Sequence, residues 1–289
     1  DDDKVIEHGL SKRIKFVRLT RKLIRGRERF FAQLVCEGTA YCKPKHDPQK
    51  GKCGFDIGPQ TIAAVSEHGA FLDTFCDELK RPDKVLRRVQ RYLARSRFEN
   101  NRDCFDENKR FIRGKRLTVF SERYNKAKRQ LADLQRRQAD HRKNLHGQMV
   151  NEILKLGNDI YCEDVSIKSW AKKAKPGGKK KDGRPKRRKR FGKSIGFRAP
   201  GTFMALLKKA ADKWDNVSVT EFSTYKTALS QTCHCGRKKK KKLSDRVHRC
   251  KCGVEAQRDL YSAYLARFVV VENNEEIVHV VQAKVAWKE

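Results

Sequence analysis

Short apolar runs separated by turn residues dominate the first quarter of the chain. Ile14–Leu19 and Phe30–Cys36 are rich in β-forming residues and are joined by the basic link Thr20–Arg29, a pattern that predicts an antiparallel hairpin. Gly51–Phe75 contains three more such runs with two tight links between them, which is typical of an antiparallel meander. We therefore expect the chain to begin with β-structure.

A helical period replaces the strand pattern after residue 82. Lys84–Arg97 predicts one helix, and a polar interruption with Asn100, Asn101 and Asp103 follows it. From Phe120 the apolar positions recur by fours and threes and continue less regularly to Leu156, as in a heptad seam. We expect two adjacent helices in an antiparallel hairpin. Their basic faces have two open interpretations, solvation and contact with a nucleic-acid backbone.

The second half of the chain alternates strand and helix. Asp159–Val165 and Val217–Phe222 are predicted strands, and Gly201–Trp214 between them has helical periodicity. A strand–helix–strand order implies parallel pairing by a crossover, so the sheet should be mixed. Val269–Glu289 predicts a linker and a short amphipathic helix, to which we assign only packing.

Three acids stand where apolar segments begin or end. Asp56 lies in the run Lys52–Gly58, Glu163 ends an apolar stretch, and Asp259 opens an amphipathic segment. A buried strand can deliver such a carboxylate to its exposed end. Each acid also has an ordinary alternative, because Asp56 could belong to a turn and Glu163 or Asp164 to a solvated strand end.

Two cysteine pairs with one-residue spacers lie between the second and third acids. Four thiolates in two close pairs are typical of a structural zinc site, and the glycine after each pair favours a tight turn. The pairs are Cys233 with Cys235 and Cys250 with Cys252. Because the commoner knuckle has a two-residue spacer, we expect strain in simultaneous ligation, with His234 and His248 as substitute ligands. Reduced structural or redox thiols are the alternative interpretation.

The charge of the chain points to a polyanionic partner. Its 289 residues carry 69 Lys and Arg against 35 Asp and Glu, a net charge of +34. Such an excess repels itself in a compact state, so nucleic acid is the expected partner, with salt-dependent affinity. A membrane surface is disfavoured, since we find no basic amphipathic helix with a broad apolar face and no run of spanning length.

Two basic runs are the candidate nucleic-acid contacts. The first lies in the Lys-, Arg- and Gly-rich segment from Lys172 to Lys193, which we expect to be disordered until it meets a phosphate backbone. A nuclear-localisation role is its alternative. The second run lies in the loop between the cysteine pairs. The residues are Lys179, Lys180, Lys181, Arg187, Arg188, Lys189, Arg190, Lys238, Lys239 and Lys240.

Taken in order, these motifs resemble the RuvC-like nuclease half of the TnpB family, transposon-encoded relatives of the compact type V CRISPR nucleases. FDIGPQTIAAVS is similar to the family's first catalytic strand and hairpin, and IYCEDVSIKSW to its glutamate strand. LSQTCHCG, HRCKCG and QRDLYSAYLA resemble its zinc-binding element and final aspartate helix. The resemblance extends roughly from Ile14 to Glu289.

The resemblance implies a fold and a division of the chain. The fold is α/β, an RNase H-like (RuvC) mixed sheet with an inserted helical hairpin, a partial N-terminal β wedge element and a small zinc-ribbon-like insertion. The implied divisions are 1–50 (wedge, with DDDK as a tag remnant), 51–228 (nuclease core, including the basic linker 171–194), 229–255 (zinc element) and 256–289 (final helix and tail). The family's longer N-terminal recognition portion is not shown by this sequence.

The resemblance also implies a function. Asp56, Glu163 and Asp259 would hold catalytic Mg²⁺ or Mn²⁺, the cysteines would hold structural Zn²⁺, and a guide RNA would direct cleavage of target DNA. Alternatives are a compact type V CRISPR effector, a transposase or junction resolvase, and a nuclease-inactive RNA-guided repressor. We expect a cytoplasmic protein, nucleoid-associated if prokaryotic, because ten cysteines fit a reducing compartment.

Overall fold

The chain forms two compact units. The computed structural model describes residues 2–79, 82–171, 183, 192–242, 244–273 and 275–288. The first unit comprises Asp1–Tyr41 and Glu78–Lys143, and the second comprises Cys42–Asp77 and Asn144–Glu289. None of the helices in the described ranges combines the length and apolar character needed to cross a bilayer.

The first unit contains the predicted hairpin and the predicted helices. Its elements are α1 (Asp2–Leu10), β1 (Ile14–Ile24), β2 (Arg27–Cys36), α2 (Asp83–Asn100) and the first part of α3 (Glu122–Leu156). β1 and β2 pair antiparallel through the two-residue turn Arg25-Gly26. Both turn residues have positive φ, 51° and 76°, as a tight hairpin turn requires. The opening DDDK, which we predict to be a tag remnant, includes the start of α1 at Asp2.

The apolar seam packs α2 against α3. Val89 and Leu93 of α2 form a buried cluster with Tyr124 of α3, and Ala127 and Leu131 border it. These are the positions at which the period of fours and threes is most regular, because a seam needs apolar residues on one helix face. Beyond the first unit, α3 runs on without a break to residue 156, so its 35 residues form one helix.

The second unit is built on a five-stranded mixed sheet. Its strands are β3 (Lys52–Ile57), β4 (Thr61–Val65), β5 (Ala70–Thr74), β6 (Asp159–Asp164) and β7 (Ser218–Ser223), in the spatial order β5-β4-β3-β6-β7. β5, β4 and β3 pair antiparallel, whereas β3–β6 and β6–β7 are parallel. The predicted meander and the predicted parallel pairing are both confirmed.

Shorter elements complete this unit. Its helices are α4 (Ile167–Ala171), α5 (Gly192–Arg198), α6 (Pro200–Ala211), α7 (Thr224–Thr227), α8 (Arg258–Ala266) and α9 (Val280–Ala286). Two small antiparallel hairpins are formed by β8 (Val247–Arg249) with β9 (Glu255–Gln257) and by β10 (Val269–Glu272) with β11 (Glu275–Val278). The prediction of a linker at the start of the tail is therefore wrong, since that segment pairs as a hairpin.

Strand alternation assigns the residues of β3 to two faces of the sheet. Phe55 is buried against Phe203 of α6 at a ring-centroid distance of 6.5 Å. Phe203 in turn contacts Phe75 and the fully buried His146 of α3. The neighbours of Phe55 on the strand point to the opposite face, because successive side chains alternate. That face carries α8.

Gly54 is the point at which α8 contacts the sheet. A Cβ built there would overlap the Ala263 carbonyl oxygen and lie 2.9 Å from the Ala266 Cβ and 3.0 Å from the Arg267 amide nitrogen. Only glycine leaves room for this approach. The atoms that a Cβ at position 54 would meet are mostly backbone atoms, so the steric overlap could be relieved only if α8 moved.

We therefore expect Gly54→Ala to destabilise the protein by about 3 kcal/mol or more, as overpacking against a rigid backbone does. Gly147→Ala is the matched control, because Gly147 lies inside α3 and an alanine Cβ at this position would have nothing within 4 Å. Alanine there should be neutral or stabilising by up to about 1 kcal/mol. Urea denaturation of both variants measures the difference, and equal stabilities would contradict a tight α8–β3 contact.

Candidate active site and metal centre

Strand register places Asp56 beside Glu163. β3 and β6 pair in parallel with Phe55 opposite Cys162, and the two acids are the next residues on their strands. Residues at the same register position on adjacent strands point to the same face. The pair Gly54 and Tyr161 lies two residues earlier and faces α8, so both carboxylates belong to the α8 side at the carboxyl edge of the sheet.

The contact at Gly54 brings Asp259 to the same edge. Asp259 precedes Ala263 by one helical turn, about 6 Å along the axis at 1.5 Å per residue. Asp56 follows Gly54 by two strand residues, about 6.6 Å at 3.3 Å per residue. With Ala263 fixed over Gly54, the start of α8 lies near Asp56. Asp56 and Asp259 accordingly line one cleft.

Burial at the sheet edge raises the pKa of two of these acids, Asp56 and Glu163. Burial raises the pKa of Asp56 to about 7, with the charges of Glu163 and Asp259 contributing to the rise and Arg258 opposing it. Burial also raises the pKa of Glu163, against a hydrogen bond from Thr224 that lowers it. Both shifts show carboxylates held where their negative charge is poorly solvated. Such a site favours a bound cation or proton.

Two arginines hold the Asp259 carboxylate. Arg258 Nη2 and Nε donate to Asp259 Oδ1 at 3.1 and 3.2 Å, and Arg246 Nη1 lies 3.4 Å from Oδ2. The Arg258 side chain is largely buried and also donates to the Asp245 carbonyl at 3.0 Å, whereas the Arg246 side chain is 63% exposed. The buried Arg258 thus fixes Asp259, and the positive charge of the exposed Arg246 stays accessible to solvent.

The acids open into a cleft of about 570 Å³. Asp56 and Asp259 line it, and Trp170, Ser244 and Arg246 contribute further lining. Glu163 lies beside Asp56 on the neighbouring strand rather than in this lining. The cleft therefore combines carboxylates, an exposed cation and an aromatic ring.

The three acids fit divalent cations by chemistry and are spaced more widely than the ligands of a single ion. Carboxylate oxygens are the donors that Mg²⁺ and Mn²⁺ prefer. Among the described residues, the one group of three or more metal-ligating side chains with atoms all within 4.8 Å of one another consists of cysteines. The ligand atoms of Asp56, Glu163 and Asp259 are thus not gathered as tightly as the four cysteine sulfurs.

Two similar turns present the four cysteines. Gly236 and Gly253 have φ of 82° and 93°, and their amides donate to the carbonyls of Cys233 and Cys250 at 2.9 and 3.1 Å. Each pair is therefore a knuckle closed by a glycine in the left-handed region. The one-residue spacer does not prevent convergence.

The thiols converge to the dimensions of a metal site. Cys233 and Cys252 Sγ are 3.5 Å apart, Cys235 and Cys250 Sγ are 3.6 Å apart, and all four lie within 4.8 Å of one another. Tetrahedral ligation with Zn–S distances of about 2.3 Å requires sulfur separations of about 3.8 Å. The four cysteines could therefore hold a metal ion such as zinc without a large rearrangement.

The neighbouring histidines are engaged elsewhere. His234 Nδ1 lies 3.1 Å from the Tyr261 hydroxyl, and His248 Nδ1 contacts Lys241 Nζ. The His234 and Tyr261 rings also contact Trp287, which follows α9. The tail assigned only to packing thus supports the rear of the cysteine cluster.

The basic run between the cysteine pairs borders the acid cleft. Lys239, Lys240 and Arg249 line a second cleft of about 310 Å³ together with Arg246, which also lines the first. Lys238 is exposed next to them. The other candidate contacts lie outside the described residues, namely Lys179, Lys180, Lys181, Arg187, Arg188, Lys189 and Arg190.

Sequence reasoning missed the residues that support the acids. Arg258 is adjacent to Asp259 in the chain, and Gly54 precedes Asp56 by two residues, so both signals were present next to the motifs. Arg246 and Trp170 have no comparable local signal, since only the fold brings them to the cleft. No protein-family model matches the chain, and no curated protein matches it either.

The raised pKa of Asp56 predicts a pH-dependent stability. Folding holds its proton up to about pH 7, whereas the unfolded group releases it near 3.8. The folded state thus binds more protons between these values, so stability should fall as pH rises through that window in the absence of metal. Asp56→Asn removes this titrating group. Between about pH 4 and about pH 8, the free energy of unfolding of this variant should therefore fall by up to about 4 kcal/mol less than that of the wild type.

Urea denaturation in EDTA at both pH values measures this effect. Asp73→Asn is the matched control, because Asp73 is an exposed acid on β5 of the same sheet. Its pH dependence should equal that of the wild type. An Asp56→Asn variant with the wild-type pH dependence would mean that this carboxyl is not held protonated.

The geometry of the four cysteines predicts that a metal ion is bound by their sulfur atoms alone, without a histidine ligand. Cys250→Ser removes a direct ligand. It should therefore weaken zinc binding by more than roughly 10- to 100-fold, the loss that is typical when a residue that only hydrogen-bonds to a ligand is removed. Cys42→Ser and His248→Ala should retain the metal. Metal content by elemental mass spectrometry after dialysis against a weak chelator separates the variants. Loss of metal from His248→Ala would instead support mixed ligation.

Proposed function

We propose that the chain is an RNA-guided, metal-dependent DNA endonuclease of the TnpB type, with an RNase H-like (RuvC) core. The sheet order β5-β4-β3-β6-β7, with three antiparallel strands followed by two parallel ones, supports such a core. The four-cysteine cluster supports the zinc-binding element of the same family. The proposal of a guide RNA and a DNA target as partners is supported by the resemblance and by the net charge of +34.

One observation carries the proposal. Asp56 and Glu163 stand at equivalent register positions on two parallel strands, and α8 brings Asp259 to Asp56. A solvated strand end would not bury its carboxyl beside two other acids, the combination that raises the pKa of Asp56. Three acids from distant parts of the chain are held together at an electrostatic cost, which a cation-binding site explains.

Asp56, Glu163 and Asp259 would hold Mg²⁺ or Mn²⁺. When bound, such ions activate water and stabilise the departing oxygen in phosphodiester hydrolysis. The residues of the chain then have separate tasks. Arg258 keeps Asp259 in place, and the exposed Arg246 can contact a phosphate of the strand that enters the cleft.

The basic residues of the cysteine element extend this strand path. Arg246 borders both the acid cleft and the cleft lined by Lys239 and Arg249, so positive charge continues from one to the other. Asp245 is the one acid among the described residues that line the second cleft, and the cations around it outnumber it, so a phosphate backbone could follow this path to the acids. We therefore assign Lys238, Lys239 and Lys240 to nucleic-acid binding rather than to solvation alone.

Isosteric loss of any of the three acids should abolish cleavage and spare binding. Asp56→Asn, Glu163→Gln and Asp259→Asn each remove a metal-holding charge, and metal ions supply several kcal/mol, so cleavage should fall by at least about 100-fold. The substrate is a plasmid that matches the RNA co-purified with the protein expressed with its native flanking DNA. Cleavage is followed in Mg²⁺ and binding in EDTA.

Asp164→Asn is the matched control, because Asp164 is exposed on the same strand, next to Glu163. It should cleave at the wild-type rate. A wild-type protein that binds the matched plasmid but leaves it intact in Mg²⁺ and Mn²⁺ would favour a guided repressor. Cleavage that survives in all three acid variants would place the chemistry elsewhere.

A further inference from the structure

The segment between α2 and α3 is an ordered loop with its ends tied together. Asn101 is buried, and its Nδ2 donates to the carbonyls of Arg97 and Val119 at 3.2 and 2.9 Å. Its Oδ1 accepts from the amides of Thr118 and Val119, each at 3.0 Å. One side chain thus clamps the loop, residues 101–119, with four hydrogen bonds, and a loop fixed in this way can hold a binding surface in shape.

A second set of contacts fixes the interior of the loop. The Ile112 amide donates to the Cys104 carbonyl at 2.9 Å, and the buried Cys104 thiol contacts the Arg116 carbonyl at 3.3 Å. Phe105 and Phe111 pair as an isolated antiparallel bridge. The loop is therefore folded on itself rather than an extended linker.

Three phenylalanines form a ladder beside this loop. The Phe98 and Phe105 centroids are 5.4 Å apart, the Phe105 and Phe111 centroids are 5.6 Å apart, and both pairs are edge-to-face. Phe98 and Phe105 are half-buried, whereas Phe111 is 50% exposed. All three line a cleft of about 720 Å³ in the first unit. The ladder leaves aromatic surface open to a ligand.

Cations surround the aromatic surface. Arg95, Arg97 and Lys109 line the same cleft, and Lys109 Nζ lies 5.2 Å from the Phe98 centroid. Glu99 also lines it and pairs with Arg102 at 2.7 Å through one carboxylate oxygen. Aromatic rings among cations fit a ligand with flat π-faces and negative charge.

We propose that this cleft, which we term the phenylalanine cleft, binds unpaired bases of single-stranded RNA. Bases would stack on Phe111 and Phe105, and Arg95, Arg97 and Lys109 would contact the flanking phosphates. A duplex does not fit this interaction, because its bases are already stacked and paired. An apolar protein segment is disfavoured by the cations at the cleft.

Glu99 favours RNA over DNA. Its second carboxylate oxygen can accept a hydrogen bond from a ribose 2′-hydroxyl, a group that deoxyribose lacks. Near phosphates alone, a carboxylate would be only repulsive. The inference concerns a site made of first-unit residues and does not depend on cleavage by the three acids.

Affinity for a short oligoadenylate RNA, measured in EDTA with Asp56→Asn protein, tests the proposal without any nuclease step. Phe111→Leu keeps apolar bulk but removes the ring, and a stacked base contributes about 1–3 kcal/mol, so binding should weaken on the order of tenfold. Phe111→Trp should bind at least as tightly as the parent. Ile112→Ala is the matched control, because Ile112 is a neighbouring exposed apolar residue outside the cleft lining.

Salt dependence separates stacking from the general basic charge. Phe111→Leu should lower affinity without changing the slope of log K against log salt, whereas Lys109→Gln should make the slope shallower. Cross-linking with a 4-thiouridine-containing RNA should map to residues 98–111. Wild-type affinity in Phe111→Leu, cross-links confined to other segments, or equal affinity for oligodeoxyadenylate would overturn the proposal. None of these outcomes depends on cleavage. A failure of RNA binding in the phenylalanine cleft can therefore be told apart from a failure of the proposed nuclease activity.

Discussion

The close approach of α8 to β3 at Gly54 is the constraint on which the candidate active site depends. Without a side chain at that position, backbone and Cβ atoms of α8 lie directly on the strand. The helix begins at Arg258, so its first turn with Asp259 is carried to the sheet edge where Asp56 and Glu163 lie one residue before the ends of their strands. The packing of α8 on Gly54 in the core thereby sets the position of the Asp259 carboxylate at the sheet edge.

Electrostatics in this unit oppose folding locally and favour a partner. Burial and the charges of Glu163 and Asp259 raise the pKa of Asp56, and Arg258 offsets only part of that rise. Around them the chain is strongly basic, and Arg246 joins the acid cleft to the lysines of the cysteine element. A site that concentrates negative charge within a positive surface suits a polyanion and the cations that act on it.

The sequence predicted those features that depend on local pattern. Strand alternation identified β3 to β7, and the cysteine spacing identified the thiol cluster, whereas the role of Asp56, Glu163 and Asp259 in metal binding stays a prediction. It did not predict β10 and β11, because three glutamates and two asparagines within a short segment obscured their strand pattern. The loop at residues 101–119 was seen only as a polar interruption, since the role of Asn101 as a clamp depends on backbone groups 17 and 18 residues away.

Locating divalent ions by anomalous diffraction from Mn²⁺-soaked crystals tests the central claim most directly. The account predicts density between the carboxylates of Asp56, Glu163 and Asp259, with Asp259 turned away from Arg246 to reach it. Manganese bound only at other acids, with these three carboxylates unchanged, would contradict the claim that they form the catalytic metal site.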